Sequence, residues 1–315
     1  MTLLDAKAAL RRAWADGSVR HLRLLGAGDS YWAFLLNEAW VCRVPRTAAA
    51  GQGLRREVAL LPWLAARLPL PVPAPQLIGG DAPGRLLFAA HPFLPGPALT
   101  PARYRRLDGA GQRRCAAQLG EFLARLHALN PALAPGPAGP VFRLTGLAAY
   151  LRPRARRVLG PAAAGSEWRF LTRVLGPQPV DGAPGPAGNT APAVWLHGDL
   201  SPEHVLFDPA AGAVSAVIDF GDLRRGEPAW DLVFLYRDYG PAFLAHLLRT
   251  YAPANPAALV RRLYYGYQLA ALDQACDAAA AGDAARARAV VGRLRRWEAA
   301  QRRALWAACG LDPDA

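Results

Sequence analysis

Cysteine, lysine and long apolar runs are all scarce in this sequence of 315 residues. The four cysteines stand far apart, which excludes a disulfide framework and a CxxC metal site. Free thiols suit a reducing compartment, so we expect a cytoplasmic protein. No apolar run approaches the ~20 residues that a membrane-spanning helix needs, and we expect no membrane partner. The first 14 residues carry charges and no apolar core, so they predict an amphipathic helix rather than a signal peptide.

The positive charge of the chain comes almost entirely from arginine. Lys7 is the single lysine among 37 lysine and arginine residues, and the formal net charge is +13. Such a charge raises the question of a nucleic-acid partner. The arginines are scattered, however, with modest clusters only at 152–157 and 293–296, and no RNA-binding or helix-turn-helix signature accompanies them. We therefore attribute the excess to a bias toward arginine and do not expect nucleic-acid binding.

Length and pattern predict an α+β protein of two domains, or of two lobes within one unit. Hydrophobic residues make up 52% and nine tryptophans are present, which excludes a disordered chain. After the first helix, residues 22–45 predict three short strands, 53–68 a helix, and 76–79 with 85–93 a strand pair. From about residue 100 the pattern becomes mostly helical, with helices predicted at 112–129, within 147–175 and over 229–309, and a flexible loop at 176–193. Two apolar strands near residues 194–219 flank a dense polar loop.

That polar loop carries the chemistry. His197, Gly198 and Asp199 follow one strand, His204 comes five residues after Asp199, and the Asp219-Phe220-Gly221 triplet ends the next strand. Protein kinases space a catalytic Asp, a metal-binding Asn and a metal-binding DFG Asp in the same way. Phosphoryl transfer needs in-line positioning and neutralised charge more than covalent help, and two carboxylates on rigid strand ends can supply both. The pattern predicts Asp199, with its neighbour His197, as the catalytic pair, and His204 and Asp219 as metal ligands.

The segment HGDLSPEHVLFD, with VIDFGDLRRGEPAWDL after it, resembles the aminoglycoside phosphotransferase family, the antibiotic kinases. The resemblance covers nearly the whole chain and implies a bilobal protein-kinase-like fold. It implies a small β-rich N-terminal lobe with the hinge at 1–96 and a mostly helical C-terminal lobe at 97–315. It also implies ATP or GTP as co-substrate, one or two Mg²⁺ ions, and a monomer.

The resemblance carries over to individual residues of the N-terminal lobe. Arg43 in VCRVP stands where the family has its phosphate-binding Lys, and Glu57 resembles the helix Glu that pairs with it. The remaining nucleotide-binding residues that the resemblance implies belong to the loop at 26–30 and to the hinge HPFLPG: Gly28, Ser30, His91, Pro92 and Leu94.

Two positions depart from the family pattern, Arg43 and His204, and the second of them narrows the subfamily. Arg43 can neutralise phosphate with the fork of a guanidinium rather than the point charge of an ammonium. His204 replaces the usual Asn, and imidazole is a poorer partner for Mg²⁺. Within the family, some macrolide kinases and aminoglycoside 2″-kinases also carry His at this position. The DFGD sequence with a downstream P-x-x-D favours the 2″-kinase branch.

The acceptor is predicted from the charge of residues 227–283. This stretch holds six acidic side chains against four arginines, and six of the nine tyrosines. A locally acidic, aromatic region suits a polycationic aminoglycoside. The predicted substrate residues are Glu227, Asp231, Tyr236, Asp238 and Asp273, of which Asp231 also matches the family's buried Asp that braces the catalytic loop.

Four functions remain open at this stage. The first is an aminoglycoside O-phosphotransferase that confers resistance. The alternatives are a macrolide phosphotransferase, a metabolic small-alcohol kinase of the same fold, and a catalytically silent pseudokinase that acts as a binding module. Intact Asp199 and Asp219 argue against the last of these.

Overall fold

The computed structural model of the chain describes residues 2–14, 18–28, 30–82, 85–136, 140–160, 165–176 and 193–311. Contacts group the chain into two compact units. The first unit contains residues 1–99, 130–138 and 203–223, and the second contains 100–129, 139–202 and 224–315. The catalytic-loop segment is thus divided, because Asp199 belongs to the second unit while His204 and Asp219 belong to the first. The division into lobes at 1–96 and 97–315 stays a prediction.

A five-stranded antiparallel sheet forms the body of the first unit. Its strands are β1 (Leu22–Ala27), β2 (Tyr31–Leu36), β3 (Trp40–Pro45), β4 (Leu77–Ala82) and β5 (Arg85–Pro92), in the order β1-β2-β3-β5-β4. Asn37 and Glu38 turn β2 into β3 with positive φ angles, and the Ala39 N–H closes this turn by donating to the Leu36 oxygen at 3.1 Å, as in the type I′ turns that hairpins favour. The three strands predicted within 22–45 are confirmed. Helix α1 (Leu3–Ala13) packs its buried face, with Leu10, into the core of this unit.

Helix α2 (Ala48–Ala65) begins five residues before the predicted start at residue 53. The Thr47 side chain accepts a hydrogen bond from the Ala50 N–H at 3.1 Å, which caps the helix. The first turn consists of alanines, which favour a helix without adding to an apolar periodicity. The periodicity therefore revealed only the later, core-facing part of the helix, which carries Glu57.

A second, small sheet completes the first unit. Strands β8 (Val205–Asp208) and β9 (Ala213–Val217) form an antiparallel hairpin. The Leu99 N–H donates to the Val205 oxygen at 2.7 Å, and the Val217 N–H donates to the Pro71 oxygen at 3.0 Å. The hairpin is therefore fixed to the N-terminal part of the chain. His204 precedes β8 and Asp219 follows β9, so both lie at the open end of the hairpin.

The second unit is mostly helical, as predicted. Its helices are α3 (Pro101–Arg106), α4 (Gly109–Ala128), α5 (Leu144–Val158), α6 (Gly165–Val174), α7 (Ala229–Tyr239), α8 (Pro241–Tyr251), α9 (Pro256–Ala280) and α10 (Ala284–Ala308). A small sheet of β6 (Val141–Phe142), β10 (Arg224–Gly226) and β7 (Val194–Leu196) lies beside them, in the order β6-β10-β7. Leu144, Leu196, Val233 and Leu269 are among the side chains of its main core. The α+β class is confirmed, whereas the predicted loop at 176–193 lies almost wholly outside the described residues.

Within the described ranges, no helix is both long and apolar enough to cross a membrane.

Candidate active site

Four of the predicted site residues come together in the first unit. Arg43 on β3 donates to the Glu57 carboxylate on α2, and its second guanidinium nitrogen lies 3.6 Å from Asp219 Oδ1. The His204 imidazole Nε2 lies 3.5 Å from the other Asp219 oxygen. Glu57 is only 4% exposed, whereas the side chain of Asp219 is half exposed. The geometry is that of a cation anchored by a buried carboxylate and presented to an accessible one.

Burial raises the pKa of Glu57, and the Arg43 guanidinium opposes that shift. A buried carboxylate without a partner would be costly, so the pairing with Arg43 is what makes the position tolerable. Removing Arg43 would leave the Glu57 charge buried without a counter-charge, whereas removing Glu57 would leave the guanidinium with only its contact to Asp219.

The backbone at Asp219 is unusual. Its φ of 61° and ψ of 71° place it in the left-handed region, which Asp tolerates better than most residues. Its carboxylate accepts a hydrogen bond from the Gly221 N–H at 3.4 Å, and the Ile218 N–H donates to the His204 oxygen at 2.8 Å. Backbone strain of this kind concentrates at functional sites, where the surroundings impose it.

The loop before β2 is anchored by Arg46, a residue that the sequence did not indicate. The Arg46 N–H donates to the Ser30 oxygen at 2.9 Å, and the Arg46 guanidinium donates to the Gly28 oxygen. The guanidinium also stacks on the Trp32 ring, 4.4 Å from the ring centre. Gly28 and Ser30 are therefore held by an arginine from the end of the neighbouring strand.

The predicted hinge begins with the last two residues of β5, His91 and Pro92. His91 is buried, and burial lowers its pKa to about 4, so the imidazole is neutral at physiological pH. Its Nδ1 lies 2.9 Å from the Pro92 oxygen, which can only accept, so Nδ1 carries the proton. The Phe93 N–H donates to the Ala39 oxygen at 2.7 Å. Pro92 and Leu94 are partly exposed along this segment.

In the second unit, the catalytic loop is held by hydrogen bonds to its backbone. The N–H groups of His197 and Gly198 donate to the two carboxylate oxygens of Asp231, each at 2.8 Å. The indole Nε1 of Trp230 donates to the Gly198 oxygen at 2.9 Å. Gly198 has a φ of 88°, which a residue with a Cβ rarely adopts. The Asp199 N–H donates to His197 Nδ1 at 3.3 Å, so the buried imidazole orients the residue that the sequence predicts as catalytic.

Asp231 is fully buried and is itself supported by a histidine. His127 on α4 places Nε2 3.2 Å from Asp231 Oδ2, and its Nδ1 lies 2.9 Å from the Tyr251 hydroxyl. Burial alone would raise the pKa of Asp231, but the His127 contact and the Gly198 N–H outweigh it and hold the pKa below its ordinary value. The sequence offered no signal for this connection, because a lone histidine on an amphipathic helix is usually a packing residue.

Two of the predicted substrate residues have partners inside the second unit. Glu227 is 7% exposed, accepts a hydrogen bond from the Leu144 N–H at 2.9 Å and pairs with the Arg262 guanidinium. It therefore caps α5 and ties it to α9. Tyr236 is 4% exposed and packs edge-on against Tyr267, with ring centres 5.5 Å apart.

The remaining predicted carboxylates are paired with arginines. Asp238 pairs with its neighbour Arg237 at 2.7 Å. Arg154 on α5 bridges Asp273 and Asp277 on α9. Burial raises the pKa of Asp273, and the nearby Asp277 carboxylate adds to the shift. The acidic character of this region is thus largely balanced by arginines that lie on the same helices or pack against them.

Comparison with known proteins places this geometry in a family. Residues 21–264 match the profile of the phosphotransferase enzyme family. No curated protein matches the chain significantly. Among solved structures, the chain is similar to the GDP complex of wild-type aminoglycoside 2′-phosphotransferase-IIIa, at 23% identity and a TM-score of 0.79 over 95% of this chain and 99% of that one.

Two further structures have the same fold. The chain is 19% identical to the protein in the gentamicin complex of APH(2″)-IIa, with a TM-score of 0.68 over 94% of this chain and 96% of that one. It is 23% identical to a macrolide 2′-phosphotransferase from Brachybacterium faecium, with a TM-score of 0.65 over 92% of this chain and 98% of that one. These similarities confirm the predicted fold class along nearly the full length of the chain.

Proposed function

This chain belongs to the phosphotransferase enzyme family, and from that premise we propose that it transfers the γ-phosphate of ATP or GTP to a hydroxyl of a small-molecule antibiotic. The acceptor we propose is an aminoglycoside, and the product would be the inactive phosphorylated drug. The observation that carries the proposal is the cluster of Arg43, Glu57, His204 and Asp219, which joins an anchored cation to an accessible carboxylate.

In this mechanism the first unit holds the nucleotide. Arg43, fixed by Glu57, neutralises the phosphates, and the loop with Gly28 and Ser30 lies along them. The hinge residues His91, Pro92 and Leu94 take the purine. A neutral His91 suits this position, because an imidazolium would be an unpaired charge in a buried setting.

We propose Mg²⁺ as the metal, held by Asp219 and His204. The exposed carboxylate of Asp219 is the oxygen ligand that Mg²⁺ prefers, and phosphate oxygens and water complete the shell of such sites. Within the described residues, no three His, Cys, Asp or Glu side chains cluster closely enough to form a full protein cage. This donor set fits a metal that binds together with a nucleotide. Bound there, the ion would offset the charge of the phosphates.

The second unit supplies the acceptor chemistry. The acceptor oxygen attacks the γ-phosphorus. The bond between that phosphorus and the β–γ bridging oxygen breaks, and the nucleoside diphosphate leaves. Asp199 orients the acceptor hydroxyl and takes its proton, while His197 and Asp231 fix the backbone on which Asp199 stands. In this arrangement the protein groups act mainly by positioning the reactants, which is the main source of rate enhancement in phosphoryl transfer.

Of the five predicted substrate residues, we propose that Asp238 and Asp273 contact the acceptor directly. Glu227, Asp231 and Tyr236 are buried, so we propose that they position the helices and the loop that surround it. The similarity to structures of aminoglycoside 2″-phosphotransferases supports an aminoglycoside. The carboxylates of Asp238 and Asp273 are partly exposed, so an ammonium group can compete there with Arg237 and Arg154.

A macrolide is the second candidate, and a specific observation favours it. The arginines that pair with Glu227, Asp238 and Asp273 lower the net negative charge that a polycation would meet. A macrolide carries one amine and a broad apolar face, and it needs fewer free carboxylates. The His204 variant of the metal position is shared by both kinds of enzyme.

Release of ADP or GDP from the purified protein tests the proposal. We expect turnover with kanamycin or gentamicin in the presence of MgCl₂ and either nucleotide, and the phosphorylated drug should appear by mass spectrometry. Turnover of macrolides alone would make the second candidate the function. Failure of all antibiotics, with turnover of simple amino alcohols, would reassign the protein to metabolic kinases. We also propose that the protein is cytoplasmic and monomeric. Size-exclusion chromatography with light scattering would check the oligomeric state.

A further inference from the structure

The Arg43 guanidinium lies over an aromatic ring. Its carbon stands 4.2 Å from the centre of the Tyr31 ring. Arg43 on β3 pairs with Ala33 on β2, so Tyr31, two residues earlier, is its diagonal neighbour on the same face of the sheet. The position of the ring is thus a direct consequence of the strand register.

Tyr31 is in turn fixed from its far end. Its hydroxyl lies 3.0 Å from the Ala50 oxygen, to which it donates, and 3.3 Å from Glu57 Oε1. Burial raises the pKa of Tyr31 to about 12, and the Glu57 carboxylate adds to the shift, so the hydroxyl remains a donor at physiological pH. Ring and guanidinium therefore share one anchor, the buried Glu57.

Helix α2 leaves room for this arrangement at one residue. A Cβ at Gly53 would stand 2.8 Å from the Tyr31 hydroxyl, closer than such contacts occur in proteins. The hydroxyl therefore fits against the helix only because residue 53 has no side chain. Tyr31 and Glu57, with the space left by Gly53, thus form the seat of the Arg43 guanidinium.

The seat constrains orientation as well as position. A guanidinium is planar, with donors in a fixed fork, whereas an ammonium has no plane. Glu57 accepts from one nitrogen of Arg43 and the Tyr31 ring lies against the guanidinium carbon, while another nitrogen lies toward Asp219. With only the Glu57 contact, the plane could still rotate about that ion pair.

We infer that Tyr31 is a positioning residue that makes an arginine effective at position 43, by locking the guanidinium plane toward the phosphates. The inference rests on the proposed function. It assigns to Tyr31 a role in nucleotide binding that depends on the planarity of its partner. Tyr31 should therefore matter to Arg43 and not to a lysine in the same place.

A double-mutant cycle tests this dependence. Binding of MgATP and MgGTP is measured by calorimetry for the wild type, Tyr31→Leu, Arg43→Lys and the double variant. We expect Tyr31→Leu to weaken binding about tenfold, in the range of a partly buried cation–π contact. Arg43→Lys should weaken binding in the wild type. In the Tyr31→Leu background it should change binding less than twofold, because without the Tyr31 ring the guanidinium plane is no longer oriented and offers little advantage over an ammonium.

Controls separate positioning from folding. Trp63→Leu removes a comparable stack, that of Arg67 on Trp63 at 4.6 Å, elsewhere in the first unit, and should leave nucleotide binding unchanged. Tyr31→Phe keeps the ring and should cost less than Tyr31→Leu. If Tyr31→Leu does not fold, Tyr31→Ile, which favours a strand, replaces it in the cycle. The KM for the acceptor should stay constant throughout.

The outcomes are distinct. Equal losses from Arg43→Lys in both backgrounds would overturn the inference while leaving the proposed function intact. Equal nucleotide affinity for the wild type and Tyr31→Leu would do the same. A wild-type protein that binds neither MgATP nor MgGTP would overturn the proposed function itself, and the inference with it.

Discussion

At the scale of single residues, Asp199 is the group whose chemistry can be tested most directly. Asp199→Asn keeps the size and the backbone N–H that donates to His197, but removes the proton acceptor. We expect nucleotide affinity to persist and kcat to fall by 10²–10⁴, the usual contribution of a general base.

Asp208→Asn is the matched control for that experiment. It removes a carboxylate from the end of β8, where Asp208 accepts from the Ala210 N–H at 2.8 Å, and an asparagine oxygen can do the same. Its kcat should equal that of the wild type. Near-normal turnover by Asp199→Asn would remove Asp199 from the catalytic role.

His204 is a second residue with a clear test. His204→Asn places an amide oxygen near Asp219, which suits a hard cation better than imidazole, and should remain active. His204→Ala should require a several-fold higher Mg²⁺ concentration for half-maximal nucleotide binding. Magnesium titrations of the two variants at fixed ATP decide the matter, and superimposable curves would show that His204 is not a ligand.

His91 should make the folded state sensitive to acid. Burial lowers its pKa from 6.5 to about 4, so between these values the unfolded chain binds a proton that the folded chain does not. Stability therefore rises with pH across this window, by about 3 kcal/mol for the full shift. Thermal melting from pH 4 to 7 should show this slope, and His91→Asn, which keeps a donor for the Pro92 oxygen, should flatten it. An unchanged slope would contradict the buried, neutral imidazole.

At the scale of elements, α4 and α8 support the catalytic loop through one buried chain of hydrogen bonds. Tyr251 at the end of α8 contacts His127 on α4, and His127 contacts Asp231, which holds the backbone of the loop. Tyr251→Phe deletes one hydroxyl and leaves the ring in place. We expect a several-fold loss of kcat with nucleotide affinity unchanged, because Asp199 stands on that loop while the residues that we propose for nucleotide binding belong to the first unit.

The matched control for the buried chain is Tyr150→Phe, which removes a hydroxyl from an exposed tyrosine on α5. It should have no effect on turnover. Equal kinetics for Tyr251→Phe and the wild type would show that His127 holds Asp231 without help from α8. A fall in nucleotide affinity would instead mean that these buried hydrogen bonds also affect the residues of the first unit.

At the scale of the whole molecule, the question is how a protein of net charge +13 attracts a polycation. If carboxylates on α7 and α9 recognise an aminoglycoside, its KM should rise with ionic strength, because salt screens such contacts. Asp273→Asn should raise that KM and leave the KM for nucleotide unchanged. Steady-state kinetics at 50 and 300 mM KCl measure both effects.

Asp283→Asn provides the control for charge. Asp283 caps α10 by accepting from the Arg286 N–H at 2.9 Å, a role that asparagine performs equally well. It belongs to the same acidic stretch, so loss of general charge would affect both variants alike. An aminoglycoside KM that is independent of salt would contradict recognition by carboxylates and favour the macrolide.

Elements with a strong pattern could be predicted from the sequence, and their limits could not. The strands within 22–45 and the helices beyond residue 229 follow from apolar periodicity and turn residues. The start of α2 escaped, because alanines and a threonine cap carry no periodic signal. The division of the HGD-to-DFG segment between two compact units could not be predicted either. It depends on hydrogen bonds between the strands of this segment and backbone far away in the sequence.

The sequence by itself determined which residues are candidates for the site, because these groups lie within 35 residues of one another, at spacings tied to strand ends. Asp199, His204, Asp219 and Asp231 could be identified in this way. Only the tertiary structure decided their partners, because those contacts join positions far apart in the chain: Glu227 with Leu144, 83 residues away, and His127 with Tyr251, 124 residues away. Local patterns encode which residues face a core. The pairing of buried charges with their donors depends on how whole elements pack. That packing makes Glu227 a helix cap and places the Tyr31 ring against Arg43.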